Sequence, residues 1–352
     1  MNDSTSVVAK RLLEPASEIQ WANPFEDTFY GDLTVRTALL SETRLLELND
    51  VFVTGSESII FSEAHTVLRL CASHDGQPAR KIRHPLRSLS LKIDEPVFLL
   101  GGRAPGNRGH FLVEHLPRLL LAQQELGGDF PRRVLVTPGH ASWQREYLNQ
   151  FGFSQIEVIE ASPGTTWCRH AWTLPNLSRT GVAELNPPHA YRALVSRLPP
   201  FDKQRPRTAV FLTRKDAPGR RLSNEEEIFS IARRRIPDLQ RICFAELTIP
   251  QQAELSASAK VIIGPHSQAF RCVLYAQDAL IIQLTPGSRH HENEYRFWSD
   301  NYSLLATLQN NRAVSLYAND SQRASQDYRY AGDRFESELA SLLSPAKQTF
   351  AS

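Results

Sequence analysis

AVFLTRKDAPGRRLSNEEEIFSIARRR, residues 209–235, decides the fold. Its first five residues form an apolar run with a valine and a phenylalanine, bounded by charge, and read as a buried strand. A loop rich in Lys, Arg, Pro and Gly follows. Ser223 and Glu226 then stand at capping-box spacing and predict a helix start, with Ile228, Ile231 and Ala232 on one face of that helix. Arg233, Arg234 and Arg235 close it, where cations suit the negative end of the helix dipole. A buried strand followed by an amphipathic helix is the repeating unit of parallel sheets.

The same unit recurs on both sides of this stretch. Downstream stand a strand near 241–245, then TIPQ (248–251) with Gln251 in the reciprocal place of a second capping box. VIIG (261–264), a short helix near 268–276 and ALIIQL (279–284) follow. Upstream, VFLL (97–100) leads through a Gly-rich turn to a helix from about His110 to Leu126. RVLVT (133–137), a helix near 142–151 and QIEVIE (155–160) complete that half. Residues 1–95 carry VFVT (51–54), SIIF (58–61) and TVLRL (66–70), which read as a meander.

The expected fold class is α/β, with two Rossmann-like domains behind a β-rich lead-in. The boundaries are a lead-in over 1–95 belonging to the first domain, that domain's Rossmann-like part over 96–186, a Pro-rich linker over 187–206, and a second domain over 207–325. A terminal helix lies within 326–352, and periodicity does not say which half it packs on.

The chain has 352 residues, 41% of them hydrophobic, enough for two sizeable cores. Lys plus Arg number 40 against 38 Asp plus Glu, a formal charge of +2. That balance gives no signature for coating nucleic acid or an anionic membrane. It conceals a local excess, because Lys203 to Arg241 contains 11 basic and 5 acidic residues, a local +6. Four cysteines, at 71, 168, 243 and 272, form no C-x-x-C pair. They read as reduced thiols of a cytoplasmic protein. The start of the chain shows no signal peptide pattern, and no window reaches the roughly 18 apolar residues of a spanning helix. The expectation is a soluble protein, with peripheral membrane contact left open.

In open α/β sheets, ligands gather beyond the carboxyl ends of the strands. That rule selects the loops at 213–223, 265–268 and 285–291. The first holds Arg214, Lys215, Arg220 and Arg221 next to a helix start, a suitable place for a diphosphate. The alternative is four solvated charges. His266 follows a buried strand and could meet a phosphate or a sugar hydroxyl, or simply be a satisfied loop histidine. His110, Glu114 and Arg118 recur every four residues on one helix stripe. They could supply a general base, with Arg118 holding the carboxylate charged, or be an ordinary ion-pair ladder. His290 and His291 have no metal-binding spacing, and no G-x-G-x-x-G, P-loop or G-x-S-x-G motif is present. An NAD-linked enzyme is therefore disfavoured. Tyr295, Phe297 and Trp298 read as packing aromatics.

Three ordered blocks resemble glycosyltransferase family 61, the DUF563-type enzymes. The first is close to N-x-x-H-W-x-x-[DE]-x-L-P-R-L, matched by Asn107, His110, Glu114, Leu116, Pro117, Arg118 and Leu119, with Phe111 in place of the tryptophan. The second is a strand ending in Arg followed by R-x-x-N-E, matched by Arg214, Arg220 or Arg221, Asn224 and Glu225. The third is a Gln-containing helix followed by A-x-x-I-x-G-x-H-G-A-x-x-x-N, matched by Gln251 or Gln252, Ala259, Gly264 and His266. It departs from the pattern at Ser267, Cys272 and Gln283, which stand for Gly, Asn and Glu.

The resemblance implies a GT-B-like, inverting, metal-independent enzyme with no cofactor. The second domain would bind the nucleotide-sugar donor, a UDP-sugar before others, and the first a glycan or lipid-linked acceptor of surface-polysaccharide assembly. It implies Glu114 as base, with His110 as orienter or alternative base. Arg214, Arg220, Arg221, Asn224, Glu225, His266 and Ser267 would form the donor site, with Asn107, Arg118 and Gln251 in support. The three departures motivate the alternative of a non-catalytic glycan- or nucleotide-binding protein on a degenerate fold.

Overall fold

The structure, a computed structural model, describes residues 7–14, 17–21, 24–30, 36–40, 43–54, 59–61, 67–68, 89–101, 106–174, 188–198, 207–287, 302, 305–318 and 327–344. The features expected at Cys71, His290, His291, Tyr295, Phe297 and Trp298 lie outside these residues. The chain divides into two compact units, Met1–Ile19 with Thr37–Leu198, and Gln20–Arg36 with Pro199–Ser352. Among the described residues no helix is long and apolar enough to cross a membrane.

The chain begins with β1 (Val7–Glu14) and β2 (Ser17–Trp21), forms the short helix α1 (Pro24–Tyr30), and returns through β3 (Arg36–Leu40), which pairs with β2. β4 (Thr43–Thr54), β5 (Ile59–Phe61) and β6 (Val67–Leu68) form the expected antiparallel meander. The strands β7 (Leu89–Ile93), β8 (Val97–Leu99), β9 (Arg133–Val136), β10 (Glu157–Glu160) and β11 (Thr165–Thr173) follow. The first unit's sheet has the order β10-β9-β8-β11-β4-β5-β6, parallel from β10 to β11 and antiparallel beyond.

The α/β class expected is present, and the first unit's sheet is mixed, with the lead-in built into it. The cause is β11, which pairs with β8 and β7 along one edge and with residues 46–54 of β4 along the other. Leu46, Leu48, Val51 and Val53 share a core with Val97, Leu99, Leu135, Cys168 and Ala171. Burial pushes the Cys168 thiol up to about 12, so it is an inert core residue.

In the helical layer of this unit, α2 (Arg108–His110) passes through a π-helical turn (Phe111–His115) into α3 (Leu116–Leu126), and α4 (Ala141–Gln150) follows β9. α5 (Pro188–Val195) packs on α3. The linker expected over 187–206 therefore begins as a helix of the first unit, because Ala190, Tyr191 and Leu194 are buried. Residues 199–206 lie outside the described set.

The second unit is simpler. β12 (Thr208–Leu212), β13 (Leu239–Ile242), β14 (Ala259–Pro265), β15 (Leu280–Thr285) and β16 (Arg312–Tyr317) are all parallel, in the order β13-β12-β14-β15-β16. β14 and β15 are buried almost throughout, as expected for a sheet covered on both faces. α6 (Glu225–Arg235) packs against the terminal helix α8 (Gly332–Leu343), and α7 (Ile249–Ala257) leads into β14. Phe211, Ile228, Ile263, Ile282, Leu316, Phe335 and Leu339 share one core. Each such buried side chain contributes about 1.5–3 kcal/mol by leaving water.

α1 belongs to this second unit, so residues 20–36 do not stay with the rest of the lead-in. β16 is an edge strand with backbone groups to satisfy. The Ser315 N–H donates to the buried Glu26 carboxylate (3.1 Å), and Tyr30 Oη donates to the Ser315 carbonyl (2.6 Å).

One expected cap forms and one does not. Thr248 and Gln251 make a reciprocal capping box on α7. α6 instead starts at Glu225 after Asn224, while Ser223 Oγ donates to the Tyr328 carbonyl and Glu226 pairs with Arg241. The strand order reverses between β12 and β14, and there Gly264 lies so close to Leu212 that a Cβ would run into the Leu212 carbonyl. Gly264→Ala is therefore expected to cost about 1–3 kcal/mol through overpacking. Thr248→Ala is expected to cost about 1 kcal/mol through the lost cap. Urea unfolding checks both, and an unchanged midpoint for Gly264→Ala would contradict the close approach.

Candidate functional site

The strand order reverses between β12 and β14, and in such sheets the usual ligand position is the crevice beyond the carboxyl ends of the strands at that point. From β12 the chain enters the basic loop at Thr213. The Glu225 carboxylate, on the first residue of α6, accepts from the Thr213 hydroxyl (2.5 Å) and the Arg214 N–H (3.2 Å). Glu225 thereby fixes the loop from the helix N-terminus, where a carboxylate is favoured. Arg214 links the loops after β12 and β14: Nη1 donates to the His266 carbonyl (3.1 Å) and Nη2 to the Gly219 carbonyl (3.2 Å). Its Nε is buried with no hydrogen-bond partner among the described residues. An unmet buried donor costs about 1–3 kcal/mol and is a natural place for an incoming acceptor.

Arg220 adopts φ +57, a left-handed conformation rare for a residue with a side chain. Its charge acts on both Arg214 and His266. Arg221 turns elsewhere, with Nε and Nη2 both on Asp327 Oδ2 (3.0 and 2.8 Å). The Asp327 carboxyl is held below its ordinary range by that hydrogen-bonded guanidinium. Of the two arginines, Arg220 is the one associated with the crevice.

His266 is 4% exposed. Its Nδ1 meets Gln283 Nε2 at 2.8 Å, and the same amide nitrogen reaches Thr285 Oγ1 at 3.1 Å. The Tyr302 ring lies 5.7 Å away, and its hydroxyl donates to the Ser267 carbonyl. Ser267, in extended backbone, leads into a 3-10 helix over Gln268–Leu274 that carries the buried Arg271. Burial, then Arg220, Arg214 and Arg271, hold the His266 imidazolium well below the ordinary histidine range, so the ring is neutral near pH 7. Cys272 is a buried thiol pushed up to about 12 by burial.

Asn224 and Gln251 bond within the protein. Asn224 holds both backbone groups of Tyr330, Nδ2 donating to its carbonyl (2.8 Å) and Oδ1 accepting from its N–H (3.1 Å). Gln251 closes the cap on α7.

In the first unit, α2 follows β8 in the chain. The Asn107 side chain caps this helix by accepting from the His110 N–H (3.1 Å). The π turn follows from Pro117, which has no N–H and would crowd the carbonyl four residues back in a regular α-helix. The Leu116 N–H accordingly bonds to the Phe111 carbonyl, five residues back. Within this turn His110 Nδ1 hydrogen-bonds Glu114 Oε1, and both side chains are buried. Arg118, 1% exposed, donates Nε to the Leu174 carbonyl (2.5 Å) and Nη1 to the Gly101 carbonyl (2.6 Å). It ties α3 to the ends of the neighbouring strands β8 and β11. Sequence reasoning missed the ring stack of Phe111 on His115 within the same turn and the edge contact of Phe111 with Trp143 (5.3 Å). Among the described residues no three His, Cys, Asp or Glu side chains gather as a metal site.

Residues 109–282 match the family model described as Glycosyltransferase 61. No curated protein matches the sequence. The matched span contains His110, Glu114, Arg118, Arg214, Arg220 and His266, and it ends one residue before Gln283.

Between the ordinary histidine value of 6.5 and the lower native value of His266, the unfolded chain binds a proton that the native state does not. Stability is therefore full above about pH 6.5 and falls as pH drops through that window. His266→Gln is expected to flatten the slope, measured as urea midpoints between pH 5 and 8. Equal slopes for the two proteins would refute the assignment of a neutral, buried His266.

Proposed function

The chain belongs to glycosyltransferase family 61, and from that premise we propose that it transfers a sugar from a nucleotide-diphosphate donor, a UDP-sugar before others, to a glycan or lipid-linked acceptor by an inverting displacement without metal assistance. The observation that carries this reading is the crevice between β12 and β14, where Arg214 carries a buried, unpartnered N–H and Arg214, Arg220 and Arg271 all act on a neutral His266. A diphosphate supplies the negative charge and the acceptor oxygens that such a site favours.

In this reading the acceptor hydroxyl oxygen attacks the anomeric carbon while the bond from that carbon to the phosphate oxygen breaks. The nucleoside diphosphate leaves with the bonding electrons. Charge developing on it is met by the guanidinium groups of Arg214 and Arg220, that of Arg214 already held by the carbonyls of His266 and Gly219 and its backbone by Glu225. The hydroxyl proton passes to Glu114, which His110 orients through their hydrogen bond. Asn224, Glu225 and Gln251 support the site by holding its loops, and Arg118 holds the helix that bears the base. Buried, unpaired Cys168, Cys243 and Cys272 agree with a reducing cytoplasm. Surface-polysaccharide assembly is the setting that fits a glycan or lipid-linked acceptor.

UDP in the presence of a chelator is expected to raise the melting temperature, since a hundredfold excess over Kd stabilises by about 2.7 kcal/mol. Arg214→Ala is expected to abolish the rise. Absence of any thermal response to nucleoside diphosphates and nucleotide sugars would sink the donor assignment. Glu114→Gln is expected to lower kcat by about 10²–10⁴-fold while leaving the thermal response to UDP intact. Unimpaired turnover in that variant would remove Glu114 from the mechanism.

A further inference from the structure

Gln283 lies outside the span matched to the family, and its amide poses a hydrogen-bonding question. Both contacts of Nε2 are to acceptors, His266 Nδ1 at 2.8 Å and Thr285 Oγ1 at 3.1 Å, whereas Oε1 is buried without a partner among the described residues. An imidazole that accepts at Nδ1 is neutral, with its proton on Nε2. Protonation would put a second N–H against the amide N–H. The amide would then turn over and present Oε1, the atom now without a partner, to Nδ1–H. The side chain therefore has two hydrogen-bonded arrangements, one for each charge state of His266.

The groups around His266 come from each element packed on it. The loop after β12 brings Arg214 and Arg220, the 3-10 helix brings Arg271, β15 brings Gln283 and Thr285, and Tyr302 adds a ring. Arg220, Arg214 and Arg271 oppose protonation of His266 together with burial, against the smaller opposite effect of the Gln283 hydrogen bond. An anion carrying two or three negative charges among those guanidinium groups reverses the balance, because coupling between partly buried charges is only weakly screened.

Resting on the nucleotide-diphosphate reading above, we propose that His266 and Gln283 form a proton switch: His266 is neutral in the empty crevice, takes one proton from solvent when the diphosphate enters, and is held in each state by opposite faces of the Gln283 amide. His266 thereby adds a fourth positive group only when there is an anion to receive it. Gln283 is a positioning residue in this scheme, acting through the imidazole.

The test is calorimetric titration of the full-length protein with UDP and a chelator at pH 7, in two buffers of different ionisation enthalpy, which gives the number of protons taken up on binding. Wild type is expected to take up about half to one proton more than His266→Gln. The ionisation of free UDP is common to both titrations, and repeating them at about pH 8, where free UDP is fully ionised, removes the ligand's own proton release from the difference. Binding with equal proton counts would overturn the switch and leave the donor assignment standing. If neither UDP nor other nucleoside diphosphates bind wild type, the donor assignment fails and the switch with it. Gln283→Glu serves if His266→Gln does not fold. A carboxylate there accepts Nδ1–H permanently and keeps the ring charged before ligand arrives, so the extra uptake is expected to vanish while UDP still binds, more weakly. Uptake in Gln283→Glu equal to wild type would also overturn the proposal.

Discussion

The second unit depends on one close approach. Gly264 has no Cβ, so the end of β14 lies against the Leu212 carbonyl at the end of β12. These are the strands between which the sheet order reverses. The approach brings the His266 carbonyl within reach of Arg214, and that hydrogen bond joins the loops after β12 and β14. Glu225 fixes the other end of Arg214 by accepting from its backbone N–H, so the guanidinium is anchored from both the helix and the strand. A cation preorganised in this way does not have to be gathered when an anion arrives.

Preorganisation of like charges is costly, and the surroundings reflect it. Arg220 sits in left-handed backbone, a conformation that costs about 1–3 kcal/mol and persists where neighbouring structure enforces it. The enforcement is visible on both sides. Arg221 is clamped to Asp327 through its backbone and its side chain, and Asn224 holds Tyr330 by both backbone groups. The segment Asp327–Tyr330 thus backs the basic loop, and the Tyr328 hydroxyl extends the support to the Leu284 carbonyl at the end of β15. Residues that a motif groups together are here divided into those that carry charge and those that hold the carriers in place.

That division marks what the sequence made legible. β12, β14 and β15 are apolar runs buried on both faces, so composition alone located them, and the rule for carboxyl ends then located Arg214, Arg220 and His266. Spacing tells which residues are close, and it does not tell where a side chain turns. Arg221 and Arg220 are adjacent, and only Asp327, 106 residues away, separates their roles. Ser223 and Asn224 are both competent to cap a helix, and the start of α6 was decided by Tyr328 and Tyr330. α1 carries no local sign of its destination, because its partner Ser315 lies 289 residues from Glu26. β11 escaped notice because Arg169 and His170 interrupt its apolar pattern, yet it makes the first unit's sheet mixed. The π turn did have a signal, Pro117 inside an otherwise helical pattern.

The near-neutral total charge can now be resolved into local parts. Of the basic excess between Lys203 and Arg241, Arg234 and Arg235 pair with Glu336, Arg241 pairs with Glu226, and Arg221 pairs with Asp327. The loops after β12 and β14 follow a different rule, because the nearby His266 ring, held neutral by burial and by Arg220, Arg214 and Arg271, is hydrogen-bonded to an uncharged amide. Had position 283 carried a carboxylate, His266 would have formed an internal ion pair. Part of the local positive charge would then have been compensated within the fold. Such compensation stabilises the empty protein at the expense of its attraction for an anion. A glutamine at this position satisfies the imidazole without adding a negative charge beside Arg214, Arg220 and Arg271.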